Sequence, residues 1–316
     1  NYEEKGRKIM ALAYLLLVIM IVLWSFSFIV VDIAVEYVSP LSIALYRFIV
    51  ASISFLVIDL ANRVRKKDAG IPKEQRDSRQ FSKREWVYIF LASLFGVSLF
   101  FFAQYTAIQL IGPSLPALFV CLLSPVIIAL LALIFFDEKL NKLKVLGFAI
   151  ATFGGFFLVT GGNLETLTPK FANFVGYLFA LATPLLWALY STITKNVGRE
   201  KTNFKMIKYI GYFGTVELFI LVSWRGDLFN LLDNMFNPIL LLCALYLGVG
   251  CYVIGYLIWQ KSQKEMKSSK VASFLYVEPF ITLLFSMLLG REETIALWNI
   301  LGGLIVLIAV LMINYD

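Results

Sequence analysis

The chain contains no histidine and little charge, and both shortages exclude whole classes of protein. Across 316 residues only 16% are Asp, Glu, Lys or Arg, whereas 60% are hydrophobic and the mean hydropathy is +0.81. Histidine is the commonest metal ligand and general base, so its absence argues against a metalloenzyme or an acid–base enzyme. A soluble domain of this length needs more charge to cover its surface. We therefore expect a polytopic membrane protein without catalytic residues, metal or cofactor.

Two further absences narrow the class. The three cysteines, Cys121, Cys243 and Cys251, lie inside apolar runs, which is typical of packing residues and not of a disulfide framework. No G-x-x-x-x-G-K-[ST] sequence occurs, so ATP-driven transport within this chain is not expected. The net charge of +7 invites a nucleic-acid partner. We reject that partner because nearly all Lys and Arg lie in short segments between apolar runs.

Ten apolar runs are long enough to cross a bilayer, which takes about 20 residues of helix. We predict an all-α integral membrane fold with ten transmembrane helices. The runs are approximately 9–31, 41–60, 86–107, 113–135, 143–161, 173–194, 206–224, 237–260, 270–290 and 294–313. The first run is too long for a cleavable signal peptide. Between the second and third runs, residues 61–85 form a polar, basic loop.

The distribution of Lys and Arg predicts the orientation. The N-terminus and the even-numbered connections carry 24 of the 28 basic residues. The odd-numbered connections carry three, Lys170, Arg225 and Arg291, and Arg47 lies within a span. We expect both termini and the 61–85 loop to be cytoplasmic, in the plasma (inner) membrane.

The two halves of the chain echo each other, which predicts two five-helix repeats, residues 1–161 and 162–316. SPVIIALLALIFFDEKL in the fourth run resembles EPFITLLFSMLLGREET in the ninth. Matched pairs include Trp24 and Trp187, Gly96 and Gly248, Pro125 and Pro279, and Glu138 and Glu292. Because five is odd, the second repeat is inverted relative to the first. Inverted repeats are typical of transporters, whose binding site lies near the midplane at the repeat interface.

These features resemble the drug/metabolite transporter superfamily, in its ten-helix EamA-type branch. The resemblance rests on LWSFSFIV in the first run, LYRFIVAS in the second and the two "P…E" endings, and it covers essentially the whole chain. It implies a basket-shaped bundle around a central cavity. It also implies passage of small organic solutes such as amino acids, nucleotide precursors or amines.

Three charges lie deep in apolar runs: Arg47, Glu217 and Glu278. A charge at the centre of a bilayer costs roughly 2.5–3.5 kcal/mol on insertion scales, so such groups face a cavity or a partner. Arg47 is expected to pair with a glutamate, most simply Glu278 and otherwise Glu217. A purely structural ion pair is the alternative. A glutamate without a partner is suited to carry a proton, so Glu278 and Glu217 are the candidate coupling residues.

Polar and aromatic residues at helical spacing predict which faces line the cavity. The candidate substrate-binding residues are Trp24, Arg47, Gln104, Trp187, Tyr190, Tyr252, Tyr256, Tyr276 and Glu278. Aromatic residues near span ends are more often headgroup anchors, which is the favoured interpretation for Trp259, with a cavity residue as the alternative. Serines and threonines often bond their own helix carbonyls. Pro125 and Pro279 interrupt their helices and are candidate hinges, with a static kink as the alternative.

We expect a secondary active transporter that moves a small organic solute, such as an amino acid, an amine or a related metabolite, by alternating access. Proton coupling is an open option. A channel or a lipid scramblase is the main alternative, and a membrane-embedded lipid-modifying enzyme is a weaker one. The expected partners are the solute and the lipid bilayer, for a monomer or a homodimer.

The topology is testable at Ser78, in the basic loop. A Ser78→Cys variant should resist a membrane-impermeant thiol reagent added outside intact cells, because we expect this loop to be cytoplasmic. Labelling is measured on the purified protein after the reaction. Ready labelling in cells shown to be sealed would overturn the topology and, with it, the inverted repeat.

Overall fold

A computed structural model describes residues 2–68, 81–135, 141–163, 165, 173–197, 203–265, 273–291 and 295–313. Every regular element within these ranges is helical, so the predicted all-helical fold is confirmed there. Seven helices are long and apolar enough to cross a membrane. Three shorter apolar helices, Ser114–Ile128, Phe274–Leu288 and Leu297–Met312, overlap the fourth, ninth and tenth predicted runs. The count of ten membrane spans stays a prediction.

We label the main helices α1 to α10 in chain order. They are α1 Tyr2–Ala34, α2 Pro40–Asp68, α3 Lys83–Ile111, α4 Ser114–Phe135, α5 Lys142–Thr160, α6 Phe174–Val197, α7 Asn203–Trp224, α8 in three consecutive pieces (Pro238–Leu245, Tyr246–Gly255 and Tyr256–Glu265), α9 Glu278–Leu288 and α10 Leu297–Ile313. A short helix, Leu228–Asn234, connects α7 to α8, and a 3-10 turn, Ser273–Val277, precedes α9.

The helix ends follow from local chemistry. Ser82 and Glu85 form a reciprocal capping box that begins α3, and the Asn141 side chain accepts a bond from the Lys144 N–H to begin α5. Gly112 and Gly161 follow α3 and α5 with φ of 78° and 59°, a backbone region that favours glycine. These residues therefore determine where α3 and α5 begin and end.

The helices of one half pack mainly against those of the other half. The main pairs between helices of the two halves are α5 with α10, α4 with α6, α1 with α9, α3 with α6, α1 with α8, α2 with α8, α3 with α7, α2 with α7, α4 with α9 and α4 with α10. Adding or subtracting five from each number turns every pair except α4–α10 into a member of this set: α1–α9 becomes α6–α4, and α2–α8 becomes α7–α3. The core therefore lies between the halves.

Two helices contain π-helical segments at corresponding places. Leu94–Leu99 is π-helical within α3, and Tyr246–Gly255 is π-helical within α8. The two segments begin 152 residues apart, which is also the separation of Gly96 and Gly248. π-Helical turns make up well under 1% of residues in globular proteins and are frequent at functional sites. Hydrophobic periodicity does not indicate them.

The two prolines proposed as hinges have different settings. Pro125 lies inside α4, where it interrupts the backbone hydrogen bonds as expected. Pro279 lies in the first turn of α9, directly after the 3-10 turn. A missing N–H costs no helical bond at this position. The expectation that Pro279 interrupts a helix was therefore wrong, because the α-helix starts there. The hinge role of each proline stays a prediction.

Helices α5 and α10 are packed backbone to backbone through glycine. A Cβ added to Gly302 would lie 2.2 Å from the Leu158 nitrogen. A Cβ added to Gly154 would lie 2.7 Å from Cγ2 of Ile305 and 2.9 Å from the Val306 nitrogen. All three distances are shorter than a real Cβ contact, so only glycine permits this approach. Small residues at such interfaces are typical of helix association in membranes.

The glycine contact predicts opposite effects at two adjacent positions of α5. Gly154→Ala should overpack the α5–α10 interface and lower the free energy of unfolding by about 1–3 kcal/mol. Gly155→Ala is the matched control, because its Cβ would meet only Leu123 at 3.8 Å, and alanine gains roughly 0.8–1 kcal/mol of helix propensity. Thermal unfolding in detergent measures both. Equal melting temperatures for the two variants would contradict the assigned contact.

Candidate functional site

A cavity of about 70 Å³ lies inside the bundle between α1, α2, α3, α4, α6, α8 and α9. Its lining residues are Trp24, Ser27, Phe28, Arg47, Phe100, Phe101, Gln104, Val120, Cys121, Trp187, Cys251, Tyr256, Leu275 and Glu278. Six of the nine predicted substrate-binding residues are among them: Trp24, Arg47, Gln104, Trp187, Tyr256 and Glu278. Pockets that hold drug-sized ligands measure roughly 300–1,000 Å³. This cavity is therefore smaller than a site for a drug-sized ligand.

Arg47 is the charged residue that α2 brings to the cavity, with only 3% of its surface exposed. Its Nη1 donates a hydrogen bond to the Tyr105 hydroxyl. Its Cζ lies 4.3 Å from the centre of the Phe101 ring and 5.4 Å from that of Phe48. A guanidinium over an aromatic face is stabilised by the ring's negative centre. Its Nε is buried and has no hydrogen-bond partner, so one donor is left for a ligand.

The expected ion pair of Arg47 is absent from this conformation. Among the described residues, the ion pairs join Lys208 to Asp59, Arg225 to Asp227, and Arg291 to Asp32 and Glu36. Neither Glu278 nor Glu217 lies within 4.0 Å of Arg47. The aromatic rings and the Tyr105 hydroxyl take the place of a carboxylate here. Pairing in another state of the protein stays a prediction.

Glu278 is the acidic residue of the cavity, with 4% of its surface exposed. It is the first residue of α9, and the thiol of Cys121 from α4 donates a hydrogen bond to its carboxylate. One turn later, the Thr282 hydroxyl lies 3.0 Å from both the Glu278 and the Ser25 carbonyl oxygens. The Thr282 hydroxyl thus links the backbone of α1 to that of α9. It helps to hold the start of α9, and with it the Glu278 side chain, at the edge of the cavity.

An aromatic cluster centred on Trp24 forms one wall. The Trp24 indole donates to the Cys251 carbonyl at 3.0 Å. It meets Trp187 edge to face, with ring centres 6.4 Å apart. It also lies 5.5 Å from Tyr256 and 5.8 Å from Trp259. The two tryptophans predicted to be repeat equivalents thus contact each other directly across the bundle.

The other three predicted binding residues are buried but are not part of the cavity lining. Tyr190 lies behind the wall, 5.3 Å from Trp187, and its buried hydroxyl has no hydrogen-bond partner. Tyr252 lies 4.6 Å from Tyr256 and donates to the Ile207 carbonyl. Tyr276 belongs to a separate apolar cluster with residues such as Phe119. Tyr190 and Tyr252 support the wall, and Tyr276 packs elsewhere.

Glu217, the second candidate coupling residue, lies outside the cavity. It projects from α7 toward α3, where the hydroxyls of Ser93 and Ser98 donate to its two carboxylate oxygens. Both serines are fully buried. The two candidate coupling residues thus occupy separate places, and each is held by neutral groups among the described residues.

Two alternatives raised by the sequence are also answered. The hydroxyls of Thr183 and Thr194 donate to carbonyls of their own helix, as serines and threonines often do. Trp259 is buried against Trp24, so it is a member of the aromatic cluster and not a headgroup anchor.

Sequence reasoning missed the residues that hold the two charges. Phe101 and Tyr105, four residues apart on one face of α3, contact Arg47. Cys121 contacts Glu278. For Phe101 and Tyr105, the available signal was their helical spacing beside Gln104 on α3. Cys121 had none, because a single cysteine in an apolar run is indistinguishable from a packing residue.

A clasp of two ion pairs, Arg291 with Asp32 and Arg291 with Glu36, links α1 to the end of α9. The Arg291 side chain follows α9 and donates through Nε to Asp32 and through Nη2 to Glu36, both at 2.5 Å. Asp32 lies in the last turn of α1, and Glu36 lies just beyond it. Inward from the clasp, Phe26 meets Phe285 with ring centres 5.1 Å apart. Helices α1 and α9 are therefore held together from Glu278 to the end of the bundle.

Comparisons with known proteins agree on one family. The sequence model of the EamA-like transporter family matches residues 11–160 and 174–315. A protein named "Uncharacterized transporter" from Archaeoglobus fulgidus is 25% identical over 299 residues, covering 94% of this chain and 95% of that protein. The "Uncharacterized inner membrane transporter YhbE" of Escherichia coli is 24% identical over 264 residues, covering 81% and 74%. A crystal structure shares the fold with a TM-score of 0.58 and 18% identity, covering 96% of each chain.

The contact between Arg47 and Tyr105 predicts a stability effect. Tyr105→Phe removes the hydrogen-bond acceptor of a buried cation, and bonds to charged groups contribute about 1.5–3 kcal/mol. We expect a lower melting temperature in detergent. Tyr212→Phe is the matched control, because its buried hydroxyl has no hydrogen-bond partner, and it should melt at the wild-type temperature or above. Equal losses in the two variants would contradict the role of Tyr105.

Proposed function

Because the chain belongs to the EamA-like transporter family, we propose that it is a secondary carrier that moves a small organic solute through the cavity by alternating access. The observation that carries this proposal is a cavity with Arg47 and Glu278 both buried in its lining and not paired with each other. Buried charges inside a membrane bundle are costly and mark solute or ion pathways. A bundle that serves only as an anchor needs neither.

The chemistry of the lining favours a zwitterionic solute such as an amino acid, with amines and related metabolites as variants. Arg47 has a free Nε donor, and guanidinium groups bind carboxylates with charge-assisted bonds. Glu278, on a different helix, supplies the complementary acceptor for an ammonium group. Trp24, Trp187 and Tyr256 offer flat apolar surface between them. A zwitterionic solute would bind Arg47 through its carboxylate and Glu278 through its ammonium group, two residues that the protein does not pair with each other.

Pseudo-symmetry supports alternating access. All but one of the main helix pairs between the halves exchange under a shift of five, and the two π-helical segments begin at corresponding positions. The family model also matches the chain in two stretches, close to the proposed repeats 1–161 and 162–316. Two inverted halves around one site give two equivalent conformations, each open on one side. The ion pairs of Arg291 with Asp32 and Glu36 link α1 to the end of α9 on one side of the bundle, and we propose that they break when that side opens.

Glu278 is the group we assign to proton coupling. It lies in the cavity, where a solute's ammonium group and a proton would compete for the same carboxylate. Its contact with the weakly polar Cys121 thiol leaves it free to exchange either. Pro125 and Pro279 remain the proposed bending points, in α4 and at the start of α9.

The family and the apolar helices make the chain an integral membrane protein, and the family is one of transporters rather than enzymes. The name of the Escherichia coli relative supports placement in the inner membrane. Cytoplasmic termini follow from the Lys and Arg distribution and belong to the proposal. The partners we propose are the solute and the bilayer, without nucleic acid.

The direct test is solute flux in proteoliposomes over a panel of radiolabelled amino acids, amines and nucleosides, with and without a pH gradient. A carrier gives saturable uptake that an excess of unlabelled solute inhibits. Flux that rises linearly with concentration would indicate a channel, and lipid movement without solute flux would indicate a scramblase. Either result would replace the proposed function.

Glu278→Gln tests the coupling assignment, because it keeps the shape of the side chain and removes its ionisation. Gradient-driven uptake should fall to the level of empty liposomes. Exchange of solute without a pH gradient should survive at higher solute concentration, because the Gln amide oxygen still accepts a hydrogen bond from the ammonium group but no longer carries charge. Exchange also shows that the variant is folded. Glu278→Asp is the control, because it keeps a titratable group and should retain gradient-driven uptake. A Glu278→Gln protein with the wild-type rate and pH profile would make this carboxylate structural.

A further inference from the structure

We propose that Glu217, Ser93 and Ser98 form a second proton-binding site, separate from the cavity, and that the π-helical segment Leu94–Leu99 transmits its protonation state to Arg47. Glu217 lies seven residues before the end of α7 at Trp224, about 10 Å along the helix at 1.5 Å per residue. A carboxyl group at that depth needs either a counter-charge or a proton. The proposal goes beyond the transport function, because it concerns residues outside the cavity lining.

The local helix geometry builds this site. Five residues separate Ser93 from Ser98, and in an α-helix such residues point about 140° apart. The π-helical segment between them has more residues per turn, so it brings both hydroxyls to the same face of α3. Each hydroxyl then bonds a different oxygen of Glu217. An uninterrupted α-helix would present only one of them.

The hydrogen bonds can be completed in both states of the carboxyl group. The Ser93 hydroxyl lies 2.8 Å from the Phe90 carbonyl as well as within bonding distance of Glu217. When Glu217 is ionised, both serine hydroxyls donate to it. When Glu217 carries a proton, the Ser93 hydroxyl turns to Phe90 and accepts from the acid, while Ser98 still donates. Such a site gains or loses a proton without leaving a buried group unpaired.

Among the described residues, Glu217 accepts hydrogen bonds from the two serine hydroxyls and takes part in no ion pair. On α7 the charged neighbours lie far along the helix. Lys208, nine residues earlier, is bound to Asp59 of α2 at 2.6 Å, and Arg225, eight residues later, lies 3.9 Å from Asp227. From α2, the Ser52 hydroxyl bonds that of Thr215, two residues before Glu217. The groups that bond Glu217 itself are therefore the neutral serines of α3.

The same π-helical segment contacts the machinery of the cavity. A Cβ on Gly96 would lie 2.2 Å from the ring of Tyr190, so the segment is pressed against the residue behind the aromatic wall. Val97 lies against Gly214, one helical turn from Glu217. Phe100 and Phe101 follow the segment directly, and Phe101 is the ring beneath Arg47. A one-residue shift of the π-helical register would turn Phe101 relative to the guanidinium.

Infrared difference spectra between acid and alkaline pH test the site on the full-length protein in lipid nanodiscs, without any solute. The wild type should show the C=O band of a protonated carboxyl, and Glu217→Gln should remove one titrating component. Glu278→Gln should remove a different one. Ser93→Ala with Ser98→Ala should shift the titration midpoint of the first component, which keeps the test informative if Glu217→Gln does not fold. Ser54→Ala is the control, because its hydroxyl bonds only the Val50 carbonyl of its own helix at 2.8 Å.

Two spectroscopic results would overturn the site. One is a carboxyl spectrum that neither Glu217→Gln nor the double serine variant changes at any pH. The other is a Glu217 component that sodium ions at constant pH abolish with saturation, which would make this a metal-cation site. Both readouts are independent of transport, so a failure here is separate from a failure of the proposed function.

Hydrogen exchange tests the link to the cavity. After correction for intrinsic rates, amide exchange in residues 94–105 should change with pH in the wild type and lose that change in Glu217→Gln. Exchange in α5, remote from the site, serves as the internal control. A contrary result is that Glu217→Gln loses its infrared component while residues 94–105 keep the wild-type pH response. In that case the proton site stands, and the proposed transmission to Arg47 is wrong.

Discussion

The cation–aromatic contact of Arg47 is the constraint on which the rest of the site depends. Arginine stays charged at any accessible pH, and here no carboxylate among the described residues neutralises it. The Phe101 ring and the Tyr105 hydroxyl must therefore be held against it by the packing of α2 on α3. Helix α8 contributes as well, because a Cβ on Gly248 would lie 2.5 Å from the Arg47 carbonyl oxygen. One buried charge thus fixes the distances among three helices.

The sequence was most informative at residues whose burial in a membrane costs free energy. Arg47, Glu278, Trp24, Trp187 and Tyr256 were predictable because charges and paired tryptophans deep in apolar runs need a reason to be there. The helical class followed from hydropathy alone. Phe101, Tyr105 and Cys121 were not predictable as charge partners, since their residue types are also those of ordinary packing. An Arg47–Glu278 ion pair was expected because only carboxylates were considered as partners of the guanidinium, and aromatic rings were not.

The π-helical segments show a second limit of sequence reasoning. A π-helical segment changes the faces of a helix by inserting a residue, and the apolar composition of residues 94–99 and 246–255 hides that insertion. The consequence is nevertheless decisive at Glu217, because the segment brings Ser93 and Ser98 to the same carboxylate. The same helix then continues into Phe101 and Gln104 of the cavity. The backbone geometry of α3, more than the identity of its residues, therefore connects the site of Glu217 with the cavity that contains Glu278.

The interleaved packing of the two halves has a consequence for biosynthesis. The surroundings of Arg47 include Gly248, and Trp24 bonds to Cys251, so residues of the first two helices are completed by the eighth. About 200 residues separate these partners in the chain. At a synthesis rate of roughly 5–20 residues per second, the ribosome needs about 10–40 s to supply them. The guanidinium itself is covered earlier, because Tyr105 follows Arg47 by 58 residues. During the longer interval the Arg47 backbone and the Trp24 indole lack their final neighbours, and water, lipid or the insertion machinery must occupy that place until the second half arrives.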